Sequence, residues 1–199
     1  MYKILRLLPT FLWLNAIAQI NPGDSAADFS LKNIDGKYIS LASLGEVKGA
    51  VLIFTCNHCP YSKAYEDRIN EIHKKYAPKG FPVVAINPND PKIEPEDSYE
   101  NMIKRAKEKK YTFYYLQDAT QTVAKTYGAQ KTPHVFLLQR YDGGGWGVEY
   151  TGAIDDNPHN SKDVKERYLE TAIRQLQDSV EVNPAITKAI GCGIKWKKQ

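Results

Sequence analysis

As a pattern of apolar and polar positions, the chain alternates short apolar runs with stretches of helical period. Asp28 to Leu41 (DFSLKNIDGKYISL) alternates apolar and polar residues around Asp35-Gly36, which predicts a β-hairpin. Ala50 to Thr55 (AVLIFT) is a continuous apolar run, as a strand covered on both faces requires. Helical period follows at once. Tyr65, Ile69, Ile72 and Tyr76 share one face, with Glu66, Asp67, Arg68, Lys74 and Lys75 mostly elsewhere. Phe81 to Ile86 (FPVVAI) is the next strand, so strand, helix and strand form a right-handed parallel crossover. The acidic, proline-rich loop NPNDPKIEPED then leads to Asp97 with Glu100 three residues on, a capping-box pattern opening a helix to about Lys109.

The second half reads as a short strand at Phe113 to Leu116 and a short helix at Thr120 to Tyr127 stopped by Gly128. A hairpin of Val135 to Leu138 and Val148 to Thr151 follows, across YDGGGWG. A last helix is expected from about Lys162 to Asp178, with Val164, Tyr168, Ala172 and Leu176 inward. Residues 181–199 show no clear period. This order predicts an α/β fold: a central mixed sheet flanked by helices on both faces, extended by the N-terminal β-hairpin. A length of 199 residues suits one domain, and 42% hydrophobic with 25% charged content is ordinary for a globular protein and suggests neither disorder nor a membrane-embedded body.

The N-terminus, MYKILRLLPTFLWLNAIAQ, carries two cations, an apolar run from Leu7 to Leu14 and the triplet Ala16-Ile17-Ala18. That is the pattern of a secretory signal peptide, and the run is too short, and interrupted by Pro9, to span ~30 Å of hydrocarbon. The expected organisation is a signal peptide over 1–18, a domain over 19–180 and a C-terminal tail over 181–199 that contains Cys192. The mature protein is expected to be exported, periplasmic or secreted, with no stable membrane insertion. Loss of Lys3 and Arg6 takes the formal charge from +4 to +2, and no basic stripe remains for nucleic acid.

Chemistry concentrates in FTCNHCPYS, where Cys56 and Cys59 follow a buried strand and precede a helix. Unpaired N–H groups at a helix entrance favour a thiolate, the attacking species in disulfide exchange. Cys56 is therefore the expected nucleophile and Cys59 the thiol that resolves a mixed disulfide. Asn57 and His58, between them, are expected to tune the thiolate, His58 by favouring the reduced form and making the couple more oxidising. A structural zinc site would need about two further ligands, and the remaining cysteine, Cys192, belongs to no second CxxC, so no metal is assigned.

These motifs resemble the thioredoxin superfamily, and within it the peroxiredoxin-like bacterial "thioredoxin family protein" group of the alkyl hydroperoxide reductase and thiol-specific antioxidant clan. The resemblance runs from about Gly23 to Lys197 through GDSAADFSL, FTCNHCPYSKAYEDRI, VVAINPNDP, LQDATQTVAKTYGAQKTPHVFL and GCGIKWK. It implies a thioredoxin fold and a redox-active dithiol. In that fold the pair Thr132-Pro133 would carry a cis peptide bond and offer the Thr132 backbone to a substrate strand. His134, after it, is read as a structural histidine. Asn87 and Asp90 lie on the same sheet edge as Cys56 and are further candidates for substrate binding. Cys192 is a candidate third redox thiol. Two departures stand out. Ala50 occupies the place of the buried aspartate of classical thioredoxins, so that proton acceptor is missing or supplied elsewhere. The peroxidatic pattern Pro-x-x-x-Thr-x-x-Cys cannot be drawn, because Thr55 abuts Cys56.

The leading expectation is an enzyme that exchanges disulfides with protein thiols and disulfides, without a cofactor, and is recycled by an unidentified redox partner. The alternatives are thiol-dependent peroxide reduction and a copper-binding or metallochaperone role.

Overall fold

The computed structural model describes residues 19–198. Nine strands and four α-helices follow one another in it: β1 (Leu31–Asn33), β2 (Tyr38–Ile39), β3 (Gly49–Phe54), α1 (Pro60–Tyr76), β4 (Val83–Asn87), α2 (Tyr99–Glu108), β5 (Tyr114–Gln117), α3 (Thr122–Tyr127), β6 (Lys131–Thr132), β7 (His134–Arg140), β8 (Trp146–Gly152), α4 (Tyr168–Gln177) and β9 (Cys192–Gly193). Seven strands form one mixed sheet in the order β2-β1-β5-β4-β3-β7-β8, and β6 pairs with β9 apart from it. The signal peptide expected over 1–18 lies outside the described residues.

The continuous apolar run of β3 is explained by its place at the centre of the sheet, parallel to β4 and antiparallel to β7. Successive side chains of a strand point to opposite faces. Val51 and Ile53 accordingly join the core with α1, α2 and α4, whereas Ala50, Leu52 and Phe54 join the opposite core with Tyr127, Phe136 and the distant Ile194. The helical face of Tyr65, Ile69, Ile72 and Tyr76 packs into the first core. Register then positions the chemistry. Phe54, the last residue of β3, pairs with Ile86 on one side and His134 on the other, so Thr55 to Cys59 emerge between Asn87 and the Thr132-Pro133 turn.

Two expected boundaries move. The cap of α2 is Ser98, whose Oγ accepts from Asn101 N at 3.3 Å, which frees Asp97 to point inward. The last helix begins at Tyr168 instead of about Lys162, because Asp156 draws the preceding stretch into loop hydrogen bonds with Lys165 N and Glu166 O. Its buried face is Leu169, Ala172 and Ile173, with Tyr168 and Leu176 at the edge. The stretch without period, 181–198, has no helix but packs along the domain, with Val182 and Ile194 buried.

His134 fits its structural reading. Gln130 N donates to Nδ1 at 3.4 Å, leaving Nε2–H for Thr151 Oγ1 at 3.2 Å, and burial lowers the pKa to about 4. A second buried polar set ties α1 to α2. Glu66 accepts from Arg105 Nε and Nη2 at 2.6 and 2.8 Å and from Tyr111 Oη at 2.9 Å. Removing one member of a buried charge pair leaves the other without its partner. Glu66→Ala is therefore expected to cost about 3 kcal/mol, read as a lower urea midpoint with an unchanged slope in equilibrium unfolding.

Candidate active site

The loop after β3 continues its pairing for one residue, with Thr55 N donating to Ile86 O at 2.9 Å. Cys59, not Cys56, is the N-cap of α1, because Pro60 has no N–H to lose and takes the first helical position. Cys56 therefore precedes the helix by a loop. Its sulfur nevertheless sits over the first turn, 3.7 Å from Ser62 Oγ. The sequence expectation placed Cys56 itself at the helix entrance; the proline shifts that entrance by three residues.

The turn before β7 meets both cysteines of the motif. The Thr132–Pro133 bond is cis, and Thr132 is fully buried. Cys56 Sγ donates to Thr132 Oγ1 at 3.2 Å, and Cys59 Sγ lies 3.2 Å from the Thr132 carbonyl oxygen. The second contact carries no proton, since Cys59 is joined to Cys192 in a disulfide while Cys56 is free. This differs from the Cys56–Cys59 pairing expected from spacing. The reason is tertiary: β9 docks antiparallel on β6 with Cys192 directly opposite Thr132, which brings a sulfur from 133 residues away to Cys59.

On the other side of the motif lies Asp97, fully buried in the turn before α2. A buried carboxylate has to be surrounded by donors. Its Oδ1 accepts from Asn57 N at 2.6 Å and Asn87 Nδ2 at 3.0 Å; its Oδ2 accepts from Asn89 Nδ2 at 2.8 Å and meets His58 Nδ1 at 2.7 Å. Asn57 is further held by Tyr115 Oη, which donates to its Oδ1 at 2.9 Å, and by its own Nδ2, which donates to Glu96 O at 2.7 Å. Asn57 thus positions the loop and makes no hydrogen bond to a sulfur.

His58 is the charged member of the set. Its pKa is pushed up to about 9, chiefly by the neighbouring Cys56 sulfur and further by Asp97, against the opposing effect of burial. The short hydrogen bond in the structure runs to Asp97, whereas the sulfur acts from within 4.8 Å. Glu94 adds a second carboxylate 3.8 Å from Nε2. At neutral pH the imidazole is a cation held between two acids and a thiol. Cys56, His58 and Asp97 together offer one sulfur, one nitrogen and one oxygen ligand atom. A metal there would have to displace the His58 proton and break its bond to Asp97, so the donor set fits a shared proton better than an ion.

The remaining sequence candidates separate. Asn87 is buried beneath the site, donating to Asp97 and to Tyr115 Oη, so it supports the carboxylate and does not line a groove. Asp90 contacts the C-terminal segment through its backbone, its N–H donating to Lys195 O at 3.0 Å. Asp97, Tyr115 and Ser62 were not found as site residues by sequence reasoning, and Asn89 only as part of the turn Asn87-Pro88-Asn89-Asp90. Asp97 carried a signal, but one that reads equally well as a helix cap.

Against known proteins, the sequence model of the AhpC/TSA family matches residues 22–168. The thiol-disulfide oxidoreductase ResA of Halalkalibacterium halodurans is 26% identical over 119 residues, which is 60% of this chain and 63% of that protein's length. The crystal structure of an uncharacterized conserved protein from Geobacillus kaustophilus superposes with a TM-score of 0.83 at 37% identity, covering 91% of this chain and 95% of that one. A thiol:disulfide interchange protein of the thioredoxin family from Chlorobium tepidum shares the fold, with a TM-score of 0.51 at 23% identity over 66% of this chain and 87% of that one. The fold is that of thioredoxin, and since the family match takes in the hairpin, the cysteine loop, the Asp97 turn and the Thr132-Pro133 turn together, this chain belongs to the AhpC/TSA family.

Proposed function

We propose that this chain is a thiol:disulfide oxidoreductase acting on cysteines of other proteins, with Cys56 as the attacking thiol and Cys59 as the partner with which it forms and breaks a disulfide. The observation that carries this reading is the meeting of a free thiol and a disulfide at one residue: Cys56 on the Thr132 hydroxyl, Cys59 on the Thr132 carbonyl. Exchange proceeds when a thiolate attacks one sulfur of a disulfide and expels the other. The electrons move between the protein pair and the substrate pair, and a second redox protein restores the starting state. The His58 cation favours negative charge on the nearby Cys56 sulfur, and Asp97 keeps that cation in place. The acid that Ala50 cannot supply from β3 is here supplied by the loop before α2 and acts through His58. Peroxide reduction, a reading the family name invites, lacks support from the loop, where Thr55 directly abuts Cys56.

Among the described residues no helix is long and apolar enough to cross a membrane. Export by the N-terminal segment completes the proposal, since disulfide exchange has substrates outside the cytoplasm.

Cys56→Ser is expected to lower exchange with a protein disulfide at least about 100-fold, reflecting loss of the nucleophile. Cys59→Ser, made together with Cys192→Ser so that no third thiol resolves the adduct, is expected to accumulate a mixed disulfide on Cys56, visible by mass spectrometry. Equal activity of Cys56→Ser and wild type would remove the assignment.

The raised pKa of His58 has a defined sign. A histidine whose folded pKa exceeds its ordinary 6.5 contributes stability that is fully present below about 6.5 and is lost as pH rises through about 9. The imidazole resonance of His58 is expected to titrate near 9 by NMR, and in Asp97→Asn the midpoint is expected to move down part of the way, the Cys56 sulfur still holding it above 6.5. An unmoved midpoint would show that Asp97 does not hold the charge.

Mass spectrometry of the exported protein is expected to find Gln19 at its N-terminus; retention of the intact chain in the cytoplasm would refute the localisation.

A further inference from the structure

The groove beside the Thr132-Pro133 turn, where a substrate strand is expected, is filled by the chain's own C-terminal segment. Its docking does not depend on the disulfide alone. Thr132 pairs with Cys192 and Lys131 with Gly193 in an antiparallel ladder. Asn89, itself 4% exposed, accepts from Lys195 N through Oδ1 at 2.8 Å. Gln121, 1% exposed, donates to Lys195 O and accepts from Lys197 N, each at 2.8 Å. Gln121 does so from a left-handed backbone (φ 61°), a conformation costly for a residue with a side chain. Ile194 is buried in the core beside Phe54 and Tyr127. Two buried amides and a core pocket are thus devoted to an extended peptide.

We propose that residues 190–197 are a tethered substrate mimic, and that the groove they fill binds extended protein segments in which glycine precedes the reacting cysteine. This rests on the oxidoreductase reading above and specifies its ligand. Selectivity follows from the two glycines around Cys192. A Cβ at position 191 would collide with the Thr132 carbonyl, whereas one at 193 would meet nothing within 4 Å. The residue before the cysteine is therefore restricted and the one after it is free.

The Cys59–Cys192 bond is then an internal counterpart of a substrate disulfide, held on Cys59 where an external substrate forms its adduct on Cys56, with Cys56 as the thiol waiting beside it. When the Cys56 thiolate attacks Cys59 Sγ, a Cys56–Cys59 disulfide forms, the Cys59–Cys192 bond breaks, and Cys192 leaves as a thiolate that takes a proton from solvent. One disulfide and one thiol exist before and after, so no oxidant or reductant is consumed. The step produces the oxidised Cys56–Cys59 pair and releases the covalent hold on the segment, leaving only its hydrogen bonds and Ile194 to compete with a protein segment for the groove.

The test uses the full exported chain, oxidised, acid-quenched, alkylated and mapped by non-reducing mass spectrometry. Wild type is expected to show the Cys59–Cys192 link with Cys56 alkylated. Gly191→Ala, which touches no sulfur, is expected to lower the ratio of Cys59–Cys192 to Cys56–Cys59 at least tenfold. Both Gly191→Ala and Cys192→Ser, in oxidised form, are expected to oxidise reduced, denatured ribonuclease several-fold faster than wild type, because the segment is held less firmly in the groove and a protein segment displaces it more readily. An unchanged ratio in Gly191→Ala, or no gain in rate in either variant, overturns the mimic while leaving the oxidoreductase reading in place. Oxidation persisting in Cys56→Ser overturns that reading as well.

Discussion

A buried carboxylate with four donors organises this site. Asp97 is shut away from solvent and has to be neutralised by its surroundings, and its donors come from the cysteine loop (Asn57 and His58) and from the loop after β4 (Asn87 and Asn89). Satisfying one anion therefore locks the CxxC loop to the sheet edge and to the turn before α2. Each of these hydrogen bonds is worth only about 1.5–3 kcal/mol net, but leaving a buried charge unpaired costs more, so the set is held together as a unit. The Cys56 sulfur chiefly, and this carboxylate after it, hold a proton on His58 and so a positive charge beside Cys56.

Thr132 is the corresponding fixed point on the other side. The register of β3 with β7 sets it against the end of the central strand, where its hydroxyl meets one sulfur, its carbonyl another, and its backbone pairs with the residue that carries the third. Three sulfurs around one residue share one disulfide. The proposed exchange among them would leave the number of S–S bonds unchanged, so the docking of the segment and the charge beside Cys56 would set which pair is bonded. The C-terminal segment contributes to that balance through its own hydrogen bonds and through Ile194.

The comparison with known proteins sharpens what is particular here. The family is named for peroxide chemistry, yet the residues next to Cys56 are those of a CxxC loop, and the acid near the cysteines comes from a loop, with alanine at position 50 of the central strand. A shared fold does not by itself assign the chemistry, since function resides in the site rather than the architecture.

Much of the fold is legible in the sequence because its signals are local. The apolar run of β3, the period of α1, the hairpin at Asp35-Gly36 and the αL glycine that ends α3 each follow from a few neighbouring residues, and all are present. The pair Cys56 and Cys59 and the turn Thr132-Pro133 are likewise legible, since each is a short motif at a strand end. Less is legible where two local rules compete. Asp97 and Ser98 are both good caps, and only the demand of Asn57, Asn87, Asn89 and His58 for an acceptor decides which of them turns inward. Val164 to Arg167 has helical spacing, but Asp156 offers that stretch other hydrogen bonds. The pairing of Cys59 with Cys192 cannot be read from spacing at all. It depends on an antiparallel contact between segments 60 residues apart along the chain, on Gly191 fitting against a carbonyl and on Ile194 finding the core. Local sequence marked which residues are candidates for the chemistry; tertiary packing decided which sulfur meets which, because the distance between two cysteines in a folded chain is set by every element packed between them.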